Sequence, residues 1–134
     1  MAKFVTNGVD HHYRGDPATR KVKVFRHGRR KSLPLRDDIC CDGRGGWNWG
    51  YPGQGPRGLA MALLADVLND DARALALQCE FARRVVCMWP MDKPWAIEAA
   101  EIRRIAAEIE CVGGVELQQR IDLTRALLEA KTCD

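Results

Sequence analysis

The spacing of apolar residues changes part-way along this 134-residue chain, and this change sets the expected fold class. Residues 20–26 alternate, with two valines on one face and two lysines on the other. A period of about two is typical of a half-buried strand, whereas apolar residues recur at helical spacing from Leu59 onward. The chain is therefore predicted to be an α+β protein, in which a small N-terminal antiparallel β-sheet or hairpin packs on three to four α-helices.

A β-hairpin is predicted in the N-terminal third. His27-Gly28 suits its turn, because glycine and, less often, histidine tolerate a positive φ angle. Residues 29–35 would then form the returning strand. Pro34 has no N–H to donate, so this strand is expected to lie at the edge of the sheet or to end early. The first twelve residues show no period and are interpreted as a lead-in.

The helices are predicted from the second half of the chain, as parts of one domain. The second helix, at about residues 71–89, is apolar around most of its circumference and is expected to be the most buried. A third is predicted from Pro94 with Ile97 pointing inward, and Gly113-Gly114 is expected to break the chain before the last. In chain order the predicted segments of this domain (1–134) are a basic β-hairpin region (1–36), a glycine-rich loop (42–58), a helical core (56–112) and a C-terminal helix (114–130).

The six cysteines do not form a metal-binding pattern. Cys40 and Cys41 are adjacent, whereas a tetrahedral zinc site uses Cys-x-x-Cys pairs to bring two thiolates to one ion. We therefore predict small buried or free thiols, with no metal and no cofactor. No apolar run approaches about 20 residues and the N-terminus shows no export signal, so a cytoplasmic protein without a membrane partner is expected.

The charges of the chain are divided unevenly between its two parts. Residues 1–36 carry ten Lys and Arg side chains against two acids, whereas residues 37–134 carry eleven against sixteen. Such an asymmetry indicates an interaction surface. The basic hairpin can neutralise nucleic-acid phosphates, dock on an acidic protein surface, or balance the acidic helices of its own chain. Few aromatic residues are expected among these cations, which disfavours a stacking platform for single strands.

The glycine-rich loop ends where a helix is predicted to begin, near Pro56. Free backbone N–H groups and the helix dipole would favour an anion there, and Arg57 would add positive charge. The loop lacks the Gly-x-x-x-x-Gly-Lys-Ser/Thr signature of a phosphate-binding loop. The structural alternative is that its glycines let the chain pass closely over Trp47, Trp49 and Tyr51.

Catalytic residues are not indicated by the sequence. The histidines His11, His12 and His27 have no carboxylate or cysteine at a suggestive spacing. An enzyme would require a pocket that joins Cys41, His27 and the glycine-rich loop. The chain is therefore predicted not to be an enzyme.

Three segments together resemble a known family. They are Tyr13-Arg14-Gly15, the stretch 49–66 that contains Trp-Gly-Tyr-Pro-Gly-Gln-Gly-Pro, and the stretch 71–81. Over roughly residues 13–105 the chain is similar to small uncharacterised proteins of bacteria, archaea and their phages. That family carries a Tyr-Arg-Gly start and a Trp-Gly-Tyr-x-Gly-x-Gly-Pro-x-x-Leu-Ala motif before a helix. The resemblance implies one compact domain and a mobile-element context, and it implies no reaction; the region after Gly113 departs from the pattern.

Size, charge and resemblance together predict a non-enzymatic phage or mobile-element accessory protein that binds a macromolecule. Its most specific form is an inhibitor of a host defence complex, of the anti-CRISPR type, docking on a protein partner or a host nucleoprotein complex. The alternative is a nucleic-acid-binding protein that uses the basic hairpin. A second alternative is a small enzyme or nucleotide binder that uses the glycine-rich loop. The predicted binding residues are Arg14, Lys21, Lys23, Arg26, Arg29, Arg30, Lys31, Trp47, Trp49, Tyr51 and Arg57.

Overall fold

The computed structural model describes residues 11–34, 36, 38–39 and 47–132. Within these ranges three N-terminal strands are followed by two helices, and a fourth strand of the same antiparallel sheet precedes the last helix, which confirms the predicted α+β class. Both layers contribute to a single cluster of buried apolar side chains. In chain order the elements are β1 (His12–Asp16), β2 (Lys21–Arg26), β3 (Arg29–Ser32), α1 (Gln54–Leu68), α2 (Asp71–Arg84), a 3₁₀ turn (Val86–Met88), β4 (Trp95–Glu98) and α3 (Ala99–Thr132).

The predicted hairpin is confirmed as β2 and β3. His27 and Gly28 form its turn with φ angles of 50° and 76°, the left-handed conformation that a tight hairpin turn requires. The strand order is β3-β2-β1-β4, so β3 lies at an edge of the sheet. It ends at Ser32, two residues before Pro34, as expected because proline has no backbone N–H to donate to a neighbouring strand.

Two of the four strands were not predicted. β1 lies inside the sheet, where Tyr13 is opposite Val24 on β2 and Ile97 on β4. The prediction that Ile97 belongs to a helix is wrong, because Trp95–Glu98 pairs with β1 and α3 begins only at Ala99. Hydrogen bonding to β1 and burial of Trp95 outweigh the helical spacing of the isoleucines that follow.

The most buried helix is α1, so the prediction that the second helix would be is wrong. Ten of the fifteen residues of α1 are buried, against six of fourteen in α2. A helix with apolar residues all round is buried on all sides, and α1 meets this description more fully than α2 does. On α2, Cys79 is a free and exposed thiol, which is one of the two predicted alternatives.

Two capping residues form the boundary between α1 and α2. Asn69 ends α1 in the left-handed conformation with φ 52°. The Asp70 side chain accepts a hydrogen bond from the Arg73 backbone N–H and so caps α2. At the predicted break, α3 continues through a kink at Gly114, where φ is 61° and ψ is −147°. No helix in the described ranges is both long and apolar enough to cross a membrane.

Candidate functional site

One face of the sheet points away from the buried cluster. Opposite residues on neighbouring strands share a face, so the register places Lys23 beside Arg14 and Ser32, and Phe25 beside His12 and Arg30. Every side chain on this face is exposed or half-buried in the described part of the chain. We call it the outer sheet face, and it consists of His12, Arg14, Asp16, Lys21, Lys23, Phe25, Arg30, Ser32, Ala96 and Glu98.

An aromatic stack lies on the two central strands of the outer sheet face, at one end of β1. The rings of His12 and Phe25 lie parallel, with centroids 4.9 Å apart and an interplanar angle of 6°. The guanidinium carbon of Arg14 is 5.2 Å from the centroid of the Phe25 ring, within cation–π distance. Sequence reasoning missed this feature, although Phe25 alternates in phase with Lys21 and Lys23 and therefore had to share their face.

Four of the predicted cations share the outer sheet face with this stack. Arg14, Lys21 and Lys23 lie on β1 and β2, and Arg30 lies on the edge strand β3. The Lys23 ammonium donates a hydrogen bond of 3.2 Å to the Ser32 hydroxyl. The two acids of the face, Asp16 and Glu98, lie opposite Lys21 and His12 and leave an excess of positive charge.

The other three hairpin cations lie on the opposite face of the sheet. Arg29 is opposite Arg26 and Lys31 is opposite Val24, so both belong to the helix-facing side, although both are exposed at the edge strand. The Arg26 guanidinium forms an ion pair with Asp66 of α1. Because Arg26 lies on the helix-facing side and this contact already engages its positive charge, it does not contribute to the outer sheet face.

Asp66 also joins β1 to α1. The Tyr13 hydroxyl donates a 2.5 Å hydrogen bond to the Asp66 carboxylate, and the His11 Nε2 atom lies 3.1 Å from the same hydroxyl. Burial of the phenol, reinforced by the hydrogen bond to Asp66, raises the pKa of Tyr13 well above its ordinary value. The hydroxyl therefore stays protonated and serves as a donor that ties the sheet to the helix.

Asp66→Ala is expected to destabilise the protein by about 2 kcal/mol, because it leaves the Arg26 charge and the Tyr13 hydroxyl without their shared acceptor. Urea unfolding followed by circular dichroism measures this change. Asp92→Ala, at an exposed turn position, is the control and should change the free energy of unfolding by less than about 0.5 kcal/mol. Equal stabilities for the two variants would show that the Asp66 cluster does not hold the sheet to α1.

The predicted aromatic residues of the loop face inward. Trp49 is completely buried, and Trp47 is half-buried against the same apolar cluster. The Trp49 ring meets Trp95 edge-on at 5.6 Å, and Trp89 stacks on Trp95 at 4.1 Å. Arg20 covers the Trp49 ring from outside at 4.6 Å. Trp47 and Trp49 therefore pack in or against the core and do not contribute to the outer sheet face.

The glycines of the motif lie where the chain passes close to other atoms. Gly50 has a φ of 89°, and a Cβ atom there would be 2.9 Å from the Met91 Cα atom. A Cβ atom at Gly55 would be 2.9 Å from the Asn48 side chain. These contacts support the structural interpretation of the loop. Tyr51 and Arg57 lie half-buried beside it, away from the outer sheet face, and anion binding stays a prediction.

No catalytic centre is assembled by the histidines in the described ranges. His12 is stacked on Phe25, and His27 is exposed in the hairpin turn. Cys41 and residues 42–46 of the predicted loop lie outside the described residues. Within the part of the chain that the structure describes, no three His, Cys, Asp or Glu side chains are grouped so as to hold a metal ion.

The fold and the outer sheet face together define an α+β protein with one face of a four-stranded sheet left to solvent. The chain belongs to the DUF6166 family, a family of unknown function whose model matches residues 13–108. The matched range covers β1 except His12, all of β2, β3, β4, α1 and α2, and ends inside α3 before the Gly114 kink. No curated protein and no solved structure matches the chain.

Proposed function

We propose that this protein binds single-stranded nucleic acid on its outer sheet face and catalyses no reaction. The observation that carries the proposal is the His12–Phe25 stack on a sheet face that also presents four cations. Lysine and arginine side chains neutralise phosphates, and aromatic rings on a sheet surface stack against the bases of an unpaired strand. A nucleobase that stacks on His12 or Phe25 would extend the existing column of rings.

The spacing of the charges supports a nucleic acid over a compact acidic ligand. Lys21 and Lys23 are two residues apart on one strand, which separates them by about 7 Å along the sheet, and neighbouring strands are about 5 Å apart. The cations thus form a flat array that can follow a chain of phosphates. The face is also too broad to enter a duplex groove as an isolated two-stranded ribbon, since β1 and β4 extend the sheet beside β2.

A second candidate is an acidic protein partner, and the edge strand β3 favours it. All four residues of β3 are exposed, and an extended acidic segment could pair with this edge while contacting Arg29 and Lys31. The phage or mobile-element origin and the inhibition of a host defence complex belong to this candidate. They rest on the family resemblance and on the charge distribution of the chain.

Fluorescence anisotropy with labelled single- and double-stranded DNA and RNA, over a series of salt concentrations, tests the first candidate. Arg30→Ala is expected to weaken single-strand binding about fivefold and to lower the magnitude of the salt slope by about one. Phe25→Leu is expected to cost about tenfold through lost stacking. The matched control is Lys31→Ala, because Lys31 is the next residue on the same strand and points to the other face.

The two candidates give different results in this experiment. Equal losses for Arg30→Ala and Lys31→Ala would contradict binding on the outer sheet face. No binding by the wild-type protein even at low salt would contradict a nucleic-acid ligand altogether. Affinity capture from a host lysate, compared between wild type and a Lys31→Glu variant, then tests for a surveillance or nuclease complex. Recovery of neither class of complex would count against the inhibitor.

A further inference from the structure

A groove of about 420 Å³ lies between the glycine-rich loop and the end of α2. One wall is the loop segment 50–53, and Arg57 follows it from the first turn of α1. The opposite wall is formed by Cys79 and Arg83 of α2 and by Met88 of the 3₁₀ turn. The Gly50 backbone N–H donates a 3.1 Å hydrogen bond to the Val86 carbonyl, which ties the loop to the 3₁₀ turn.

Apolar side chains that are normally buried are exposed at this groove. Met88 is 73% exposed and lines it, and Met91, which lies against Gly50, is 45% exposed. Methionine is flexible and polarisable, and exposed methionines are typical of surfaces that accept apolar side chains of varied shape. Met88 therefore gives the groove an exposed apolar wall, and Met91 lies on the other side of the same loop residue, Gly50.

The charge of the groove is positive. Arg57 and Arg83 line it, and no Asp or Glu is among the lining residues that the structure describes. The Arg57 charge reaches the groove wall, since it opposes the rise that burial causes in the pKa of the Cys87 thiol. The Arg83 side chain is paired with Glu80 within α2 but stays 70% exposed. A ligand that complements these features has an apolar group flanked by negative charge.

We propose that this groove binds a short peptide segment of a partner protein, in which an apolar side chain is flanked by carboxylates. The apolar side chain packs against Met88 and Tyr51, and the carboxylates face Arg57 and Arg83. This recognition uses residues outside the outer sheet face. The peptide site and the nucleic-acid site can therefore be tested separately.

Selection from a random-peptide phage library on immobilised wild-type protein, with counter-selection on Met88→Asp, tests the proposal. We expect enriched peptides with an aromatic or aliphatic residue next to Asp or Glu. Synthetic versions of these peptides should bind the Met88→Asp variant about tenfold or more weakly than the wild type, as measured by fluorescence polarisation. Val115→Asp is the matched control, because Val115 is also 73% exposed but lies on α3 and does not line the groove.

Charge and occupant are tested with the same peptides. Arg83→Glu should weaken binding, whereas replacing the peptide carboxylates by amides should weaken binding to the wild type and remove the effect of Arg83→Glu. Arg30→Ala should leave the peptide affinity unchanged, whether or not that variant loses nucleic acid. The absence of enrichment over the Met88→Asp protein, or a basic consensus, would overturn the proposal. So would concentration-dependent self-association that Met88→Asp abolishes, because the occupant would then be a second copy of this chain.

Discussion

Gly15→Ala is expected to destabilise the protein by about 3 kcal/mol, as measured by urea unfolding. A Cβ atom at Gly15 would lie 2.2 Å from the Trp95 indole ring, far inside van der Waals contact. The ring has little room to retreat, because Trp95 is buried, stacked on Trp89 and met edge-on by Trp49. The added methyl group must therefore displace a packed aromatic cluster or separate β1 from β4.

A double-mutant cycle with Trp95→Leu isolates this contact. On the Trp95→Leu background, Gly15→Ala should cost less than about 1 kcal/mol, since the ring that the methyl group would strike is gone. Additive effects of the two substitutions would contradict the contact as the reason for a glycine at this position.

Trp49→Ala is expected to lower the free energy of unfolding by about 3–5 kcal/mol, because the whole side chain lies in the core and its loss leaves a large cavity. Thermal and urea unfolding followed by circular dichroism measure the loss. Trp47→Ala is the comparison, and its half-buried ring should cost less. A Trp49→Ala protein with wild-type stability but impaired ligand binding would instead return Trp49 to the binding surface.

Both predictions depend on motif residues that make packing contacts within the fold. Tyr13 and Gly15 of the Tyr-Arg-Gly start contact Asp66 and Trp95, and Trp49 of the second motif fills the core. Arg14, which lies between Tyr13 and Gly15, is the residue of the Tyr-Arg-Gly motif that points outward, and it belongs to the outer sheet face. In this chain, therefore, the buried motif residues hold the sheet, the loop and α1 together.

Local patterns in the sequence predicted several elements correctly. Alternation gave β2, the left-handed preference of Gly28 gave the turn, and Pro34 indicated an edge strand. Each of these features depends on residues within a few positions of one another, so that backbone sterics and local hydrogen bonds are sufficient to determine them.

The sequence by itself determined the α+β class, the hairpin and the phase that places Phe25 among the lysines of β2. Only the tertiary structure decided which cations are available to a ligand. Arg26 and Arg30 look alike in sequence, but Arg26 pairs with Asp66, forty residues later in the chain. Arg30 lies on the outer sheet face instead. Trp95–Glu98 likewise became a strand because β1, which lies at least eighty residues earlier in the chain, offered it hydrogen-bonding partners. Such choices rest on long-range contacts, which are made only when the chain has folded and cannot be read from local spacing.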